Sequence, residues 1–456
     1  MTPLKDYTIA VFVISVLILT YTAFIFLYKV PSSSDPLEER AHNLISLIKH
    51  NDSSNMIDYN YWGPVDDVYG SKLSNAIGEN NNKPNGEKQK SSNNQFTVIE
   101  IWSKAAIGNY LWEHILKGKI SKKSQFYQYG FKKLDQFKVK FRSGPSLTPQ
   151  SLENFLTTDE NILKESSTGT KNMIIVLNGR SKEKIDFAKQ WLEKFNHLSS
   201  SRDVQPFNVG AILLGHEFCF NHWIKKYLAS NGGPLKFLFT VYDWKDIDDN
   251  EIYQWPLGVA TYRNFPNPDA TKLNLRLENP YTCNFLGTVY PNSSRSELME
   301  VLKSLDEGTC FIKGRSEWEP NETSETLDRY LQALRLSDLT LSPIGMNHEC
   351  YRIYEAFAFG SLPVVEENLN HVKGHKSNCD PNSAYRLLKK HSAPVIYIAN
   401  WTHELPTLIE KEMSLSLEHK TFRRKRLINW YNSFKSNIRS HFFHVIQSKF
   451  KINLNN

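Results

Sequence analysis

The segment SPIGMNHECYRIYEAFAFGSLPVVEE, residues 342–367, places one cation and one carboxylate, Arg352 and Glu355, three residues apart in a helical pattern. It reads as a strand end, a turn containing Gly345, an amphipathic helix closed by Gly360, and a second strand. Side chains on a helix lean toward its N-terminus, so a guanidinium in the first turn can reach an anion held over the free N–H groups of that same helix. A diphosphate suits such a place. A carboxylate one turn later can accept from two vicinal hydroxyls of a ribose. The same spacing also allows an i,i+3 surface ion pair worth roughly a few tenths of a kcal/mol, and the residues alone leave both readings open. Gly345 would let a backbone approach phosphates, or is simply a turn glycine.

Other chemistries lack their local machinery. There is no G-x-x-x-x-G-K-S/T, no G-x-G-x-x-G and no G-x-S-x-G, which removes the strongest support for nucleotide hydrolysis, NAD binding and α/β-hydrolase chemistry. His216 and His222 in HEFCFNH are six apart and do not share a helix face as the zinc-binding H-E-x-x-H does. The triplet Asp246-Ile247-Asp248 has the form of a metal–nucleotide site, but it lies past a strand end in a polar loop and reads as a solvated loop. The five cysteines contain no C-x-x-C. Cys283 and Cys310 begin two consecutive apolar segments and form the expected disulfide, with an unpaired buried thiol as the alternative.

These residues need a scaffold, and the chain supplies an alternating one. Strand-like runs NMIIVLNG, VGAILLGHE and LKFLFTVYD alternate with helical KEKIDFAKQWLEKF and NHWIKKYLA, the βαβ pattern of a parallel sheet. After the Pro-containing connector QWPLGVATYRNFPNPD a second series begins, with YTCNFLGTVY, CFIKG, DLTLSP and APVIYIAN as strands. Two α/β domains in tandem put the carboxyl ends of their strands around a shared crevice. The expected boundaries are an acceptor domain over 96–265, a donor domain over 266–420 and a helical tail over 421–456.

Ahead of that body, residues 8–28 form an uncharged run of 21 residues, long enough to cross a bilayer, with residues 1–7 as a cytoplasmic tail. Residues 29–95, including ENNNKPNGEKQKSSNN, read as a disordered stem. N-glycosylation sequons at Asn51, Asn292, Asn321 and Asn400 all follow the run, which makes a single-pass type II membrane protein with a lumenal body the expectation. The net charge of +7 is not a nucleic-acid signature, and no nucleic-acid partner is expected. Residues 117–142 nevertheless hold nine Lys or Arg against Asp135 alone, either a solvated face or an attractor for a polyanion.

The string SDLTLSPIGMNHECYRIYEAFAFGSLPVVEE resembles the donor-binding signature of exostosin-type glycosyltransferases. More closely, IWSKAAIGNYLWEHI, VLNGR, QWPLGVATYRNFP, CNFLGTVYPNSSR and ECYRIYEA are together similar to the ribitol-5-phosphate xylosyltransferases of vertebrates, over nearly all of residues 98–445. That resemblance implies a GT-B fold of two Rossmann-like domains facing a cleft. It implies UDP-xylose as donor, no required metal or cofactor, and β-1,4 transfer with inversion to ribitol 5-phosphate on the O-mannosyl glycan of α-dystroglycan. The compartment implied is the Golgi membrane, with fukutin and fukutin-related protein as pathway partners. By the same analogy Arg352 neutralises the departing UDP diphosphate, which Gly345 lets the backbone approach, and Glu355 binds the uridine ribose. Inversion needs a base, for which Glu217 and Asp243 both end N-terminal-domain strands, Glu217 being preferred because its Gly-His-Glu turn can present the carboxylate above the sheet. Two alternatives stay open: a non-catalytic adaptor of the same pathway, or an exostosin-like transferase using another UDP-sugar.

Overall fold

The structure, a computed structural model, describes residues 96–452 except 159–169, 202–203, 320–322, 368–376, 381 and 383. The apolar run 8–28, the stem, and the sequons at Asn51 and Asn321 lie outside the described residues. Among the described residues no helix is long and apolar enough to cross a membrane.

The first lobe is built on β1 (Thr97–Ser103), β2 (Ile120–Lys123), β3 (Gln128–Leu134), β4 (Phe137–Ser143), β5 (Lys171–Asn178), β6 (Phe207–Leu214), β7 (Leu235–Thr240) and β8 (Ile252–Gln254). They form one sheet in the order β2-β3-β4-β1-β5-β6-β7-β8. β5 and β6 are almost continuously buried, as expected of parallel strands covered on both faces. The β2–β3–β4 edge is antiparallel and was not expected from the pattern. The reason is visible in β4, whose FKVKFRS alternates buried and half-buried residues, the mark of a strand covered on one face. The stretch NHWIKKYLA, expected to be an α-helix, instead makes a short 3₁₀ turn over His222–Tyr227.

The second lobe alternates β9 (Tyr281–Thr288), α1 (Ser294–Lys303), β10 (Cys310–Arg315), α2 (Ser324–Arg335), β11 (Ser337–Ser342), α3 (Tyr351–Phe359), β12 (Leu362–Glu366) and β13 (Ile396–Ile398). All its strands are parallel, in the order β10-β9-β11-β12-β13. Serine and threonine capping boxes start α1 and α2. Gly360 ends α3 at φ +79°, where the N–H of Ser361 returns to the Ala356 carbonyl at 3.1 Å and any side chain would be strained. The chain runs from β9 outward to β10 and then crosses back to β11, so the crevice between the ends of β9 and β11 is the switch point where ligands of such sheets bind.

Three devices join the lobes. The last helix, α4 (Leu417–Phe450), is pinned to the second lobe by Arg424 and Lys420 on the buried Asp338. Further along, it packs on the first lobe through Phe443 stacked on Phe137 (4.8 Å) and Tyr431 hydrogen-bonded to Tyr110 (3.2 Å). A disulfide joins Cys219, after β6, to Cys379. Buried carboxylates of the second lobe hold the connector: Glu349 accepts the Leu257 N–H at 2.8 Å and Glu355 the Ala260 N–H at 3.0 Å.

Candidate active site

A cleft of about 790 Å³ opens between the lobes, walled by the loops after β5, β6 and β7 on one side and by the starts of α1 and α3 on the other. Its chemistry begins at the β9–β11 switch point. Arg295 and Arg352 each stand two residues after a helix N-cap, Ser293 for α1 and Cys350 for α3. Both lean back into the crevice, as side chains in a first turn do. Arg295 Nη1 donates to the Thr288 carbonyl at 2.9 Å and Arg352 Nη2 to the Leu286 carbonyl at 2.8 Å. The Nε of Arg295 and the Nε and Nη1 of Arg352 are buried without a partner. Burial, and after it the charge of Arg352, pull the Arg295 pKa down to about 10. No side chain caps the N-terminus of α3. Two guanidiniums with unmet donors at an uncapped helix N-terminus form a cradle for a multiply charged anion.

The glycines of the site make room for these side chains. A Cβ on Gly345 would come within 2.6 Å of Arg295 Nη2, and one on Gly287 within 2.6 Å of Arg352 Nη2. Gly345 is therefore small because a guanidinium passes beside it.

Glu355 lines the same cleft and is only 4% exposed. It makes no ion pair with Arg352. Its oxygens accept from the Ala260 N–H and, at 2.6 Å, from the Tyr330 hydroxyl, and burial raises its pKa. Each oxygen keeps a second lone pair, so the carboxylate can still receive a ligand hydroxyl while it ties the connector to the second lobe.

Across the cleft, the Glu217 carboxylate stands half-exposed, with Arg180 Nη2 3.5 Å away. Arg180 also donates to the Tyr242 hydroxyl and lies over the Tyr351 ring. Burial opposes its charge, but Tyr242, Tyr351 and Glu217 hold its pKa above the ordinary value. Asp243 does not face the cleft, contrary to the expectation. Tyr242, at φ +71°, turns the chain at the end of β7 and takes the place on the cleft wall. Asp243 instead enters the seam between the lobes, 7% exposed, accepting from Gln254 at 2.6 Å and from the Tyr385 N–H at 3.0 Å. Burial raises its pKa to about 6.

The acidic triplet is engaged, not simply solvated. Asp246 pairs with Lys225 and His222 at 3.2 Å each, while Asp248 accepts the N–H groups of Asn250, Glu251 and Ile252. Among the described residues no group of three or more His, Cys, Asp or Glu is placed to hold a metal ion. Cys283 and Cys310 are a disulfide at the paired starts of β9 and β10. Asn292 is exposed just before α1, and Asn400 caps the helix Trp401–Met413 by accepting the His403 N–H.

Residues 99–256 match the family model described as the RXYLT1 N-terminal domain, and residues 262–451 the one described as the RXYLT1 C-terminal domain. The chain belongs to the RXYLT1 family. Its relatives include a human protein named ribitol-5-phosphate xylosyltransferase 1, 42% identical over 356 residues, which cover 78% of this chain and 77% of that protein. The mouse protein of the same name is 43% identical over 358 residues, with the same shares covered. Among solved structures, the catalytic domain of starch synthase IV from Arabidopsis thaliana aligns over 77% of this chain and 99% of its own, at a TM-score of 0.37 and 8% identity. In this RXYLT1-family chain the two matched domains meet between residues 256 and 262, inside the connector held by Glu349 and Glu355.

Arg295 and Arg180 were not singled out from the sequence. Arg295 had a usable signal, because, like Arg352, it is the second residue after the N-cap of a helix that follows a parallel strand. Arg180 ends VLNGR, one of the strings that carry the family resemblance, but its role depends on Glu217 and Tyr351, far away in sequence.

Proposed function

We propose that this chain is an inverting GT-B glycosyltransferase that moves xylose from UDP-xylose to ribitol 5-phosphate. The observation that carries the reading is the pair of partly unpartnered arginines, Arg295 and Arg352, at the uncapped start of α3. The names of the relatives supply the sugar and the acceptor. In this reading the lobe up to residue 265 receives the acceptor and the lobe over 266–420 holds the donor. The arginines bind the diphosphate and stabilise it as it leaves, Glu355 receives a ribose hydroxyl, and Glu217 takes the proton of the attacking hydroxyl from the opposite wall. The acceptor context is the O-mannosyl glycan of α-dystroglycan, and the sequons and the apolar run support a type II protein of the Golgi membrane.

The test is a panel of UDP-sugars offered to the full-length protein with a synthetic ribitol-phosphate acceptor, read by product mass. UDP-xylose should be the preferred donor and should raise the melting temperature. Efficient transfer from another UDP-sugar with none from UDP-xylose would overturn the donor assignment.

A further inference from the structure

Beside the cleft lies a second trough, of about 1210 Å³, at the carboxyl ends of β1 and β4. It shares Tyr262 and Phe265 with the cleft, so the two are continuous over the connector. Its floor is made of amides and hydroxyls. Asn109 Nδ2 donates to Gln128 Oε1 at 3.3 Å, and the same oxygen accepts from the Ser143 hydroxyl at 3.1 Å. The rim is cationic: Lys104, Lys117, Lys119 and Lys123 against the single acid Glu113.

The rim is also fixed. The Gly118 N–H donates to the Trp112 carbonyl at 2.7 Å, and a Cβ on Gly118 would fall 2.2 Å from the Trp112 ring, so the strip is pressed onto the core. Lys132 Nζ donates to the Leu116 and Lys117 carbonyls, and Lys104 Nζ to those of Gly144 and Leu147. Lys117, Lys119 and Lys123 are exposed on this held backbone and, among the described residues, pair with no carboxylate. A face that only needed solvation would not require its lysines on a strip pressed onto Trp112 at its start and paired with β3 along the rest.

We infer that this trough binds the phosphorylated polyol chain of the acceptor, its lysines taking phosphate and its amide floor the polyol hydroxyls, while the reacting end passes Tyr262 into the cleft. The inference rests on the reading of the chain as a transferase to a phosphorylated polyol. Amides and hydroxyls match hydroxyl groups, and a row of lysines at intervals along a trough matches phosphates repeated along a chain better than one compact anion.

The experiment is calorimetry on the full-length protein with three probes: ribitol, ribitol 5-phosphate and a synthetic ribitol-phosphate dimer. Each is titrated into the parent and into Lys119→Glu/Lys123→Glu, with the UDP-induced thermal shift as the control for folding and for the donor site. The parent should bind the dimer about tenfold or more tightly than ribitol, with an affinity that falls as salt rises, and the variant should lose that advantage with the UDP shift unchanged. Equal affinity of parent and variant for the dimer overturns the inference, as does a parent that does not distinguish dimer from ribitol. If inorganic phosphate at equal charge concentration competes as well as the dimer, the trough holds a free anion and the inference fails. Dimer binding present in the parent and lost in the variant supports the trough even if the parent transfers no xylose, which keeps this inference separable from the functional reading.

Discussion

Arg295 and Arg352 occupy equivalent places, the second residue after the N-cap of two helices that rise from the neighbouring strands β9 and β11, and they face one crevice with unmet donors. Like charges brought together and partly buried disfavour the empty state, and the lowered pKa of Arg295 expresses that cost. An arriving diphosphate relieves it. Stability given up in the unliganded protein is thus returned as affinity for the anion.

Arg295→Met should therefore separate stability from function. Arg295 is charged when protonated and its folded pKa is depressed, so the penalty is fully present below about 10 and is relieved only as pH rises toward its ordinary value. At pH 7.5 the variant should lose that penalty together with one carbonyl hydrogen bond, a net gain of about 1 kcal/mol or a rise in Tm of about 2 °C. Donor turnover should fall about a hundredfold or more, and the UDP-induced thermal shift should shrink. A variant that is less stable yet fully active would mean that Arg295 only braces the Thr288 carbonyl.

The seam between the lobes should weaken as pH rises. Burial raises Asp243 to about 6 and Glu349 to about 7, each above its unfolded value, so the folded state favours the protonated acid. The stability these two contribute is present below about pH 4 and is lost as pH climbs through their folded values. Between pH 5 and pH 8 the loss should be about 4 kcal/mol, visible as a falling Tm. Glu349→Gln should flatten that dependence. An unchanged slope in the variant would assign the pH dependence to other groups.

The sequence carried the strand and helix alternation because parallel strands buried on both faces read as apolar runs, and β5, β6 and β9 are such strands. It carried Arg352 and Gly345 for the same local reason, as features of one strand–turn–helix unit. What it could not carry is contact at long range. Cys219 and Cys379 are separated by 160 residues, and nothing in either segment names the other. Asp243 and Glu217 are both acids beyond strand ends, but only the φ +71° turn at Tyr242 separates the wall from the seam. The final segment reads only as a helical tail, whereas its role as a brace appears once Asp338 and Tyr110 are seen beneath it.

Opening the Cys219–Cys379 link should loosen the lobes as a pair. The disulfide closes a loop of 160 residues, and in a chain-entropy account a loop of that order is worth roughly 4–5 kcal/mol. Cys219→Ser should lower Tm by several degrees or more, and its Asn378–Phe218 and Asp380–Asp243 backbone bonds should exchange hydrogen faster than β5 and β6. Retention of the parent Tm in the variant would show that α4 and the Glu349 and Glu355 bonds to the connector hold the lobes without it.

Chelation should spare activity. Asp246 is committed to Lys225 and His222, and Asp248 to three backbone N–H groups, so the triplet has structural work independent of any ion. Asp246→Asn/Asp248→Asn should cost about 1–2 kcal/mol of stability while leaving the donor Michaelis constant near that of the parent. Complete loss of transfer in EDTA, restored by manganese, would show that a divalent ion takes part.

The base is the most demanding assignment, because the two sequence candidates end in opposite environments. Glu217 faces the cleft across from the arginine cradle, and Arg180, itself held by Tyr242 and Tyr351, stands beside its carboxylate at 3.5 Å. Asp243 has both oxygens committed to Gln254 and Tyr385 inside the seam. Removing a general base should leave donor binding intact, since the cradle is on the other lobe, and should slow transfer by about a thousandfold. Glu217→Gln should show that split. Asp243→Asn should lower Tm by loss of a buried acceptor, yet keep most transfer per folded molecule. His216 is no simple substitute, because its Nδ1 accepts the Phe218 N–H at 3.1 Å and burial lowers its pKa. Near-normal transfer in Glu217→Gln, with loss confined to Asp243→Asn at unchanged Tm and donor affinity, would reverse the assignment and require the seam to open during turnover.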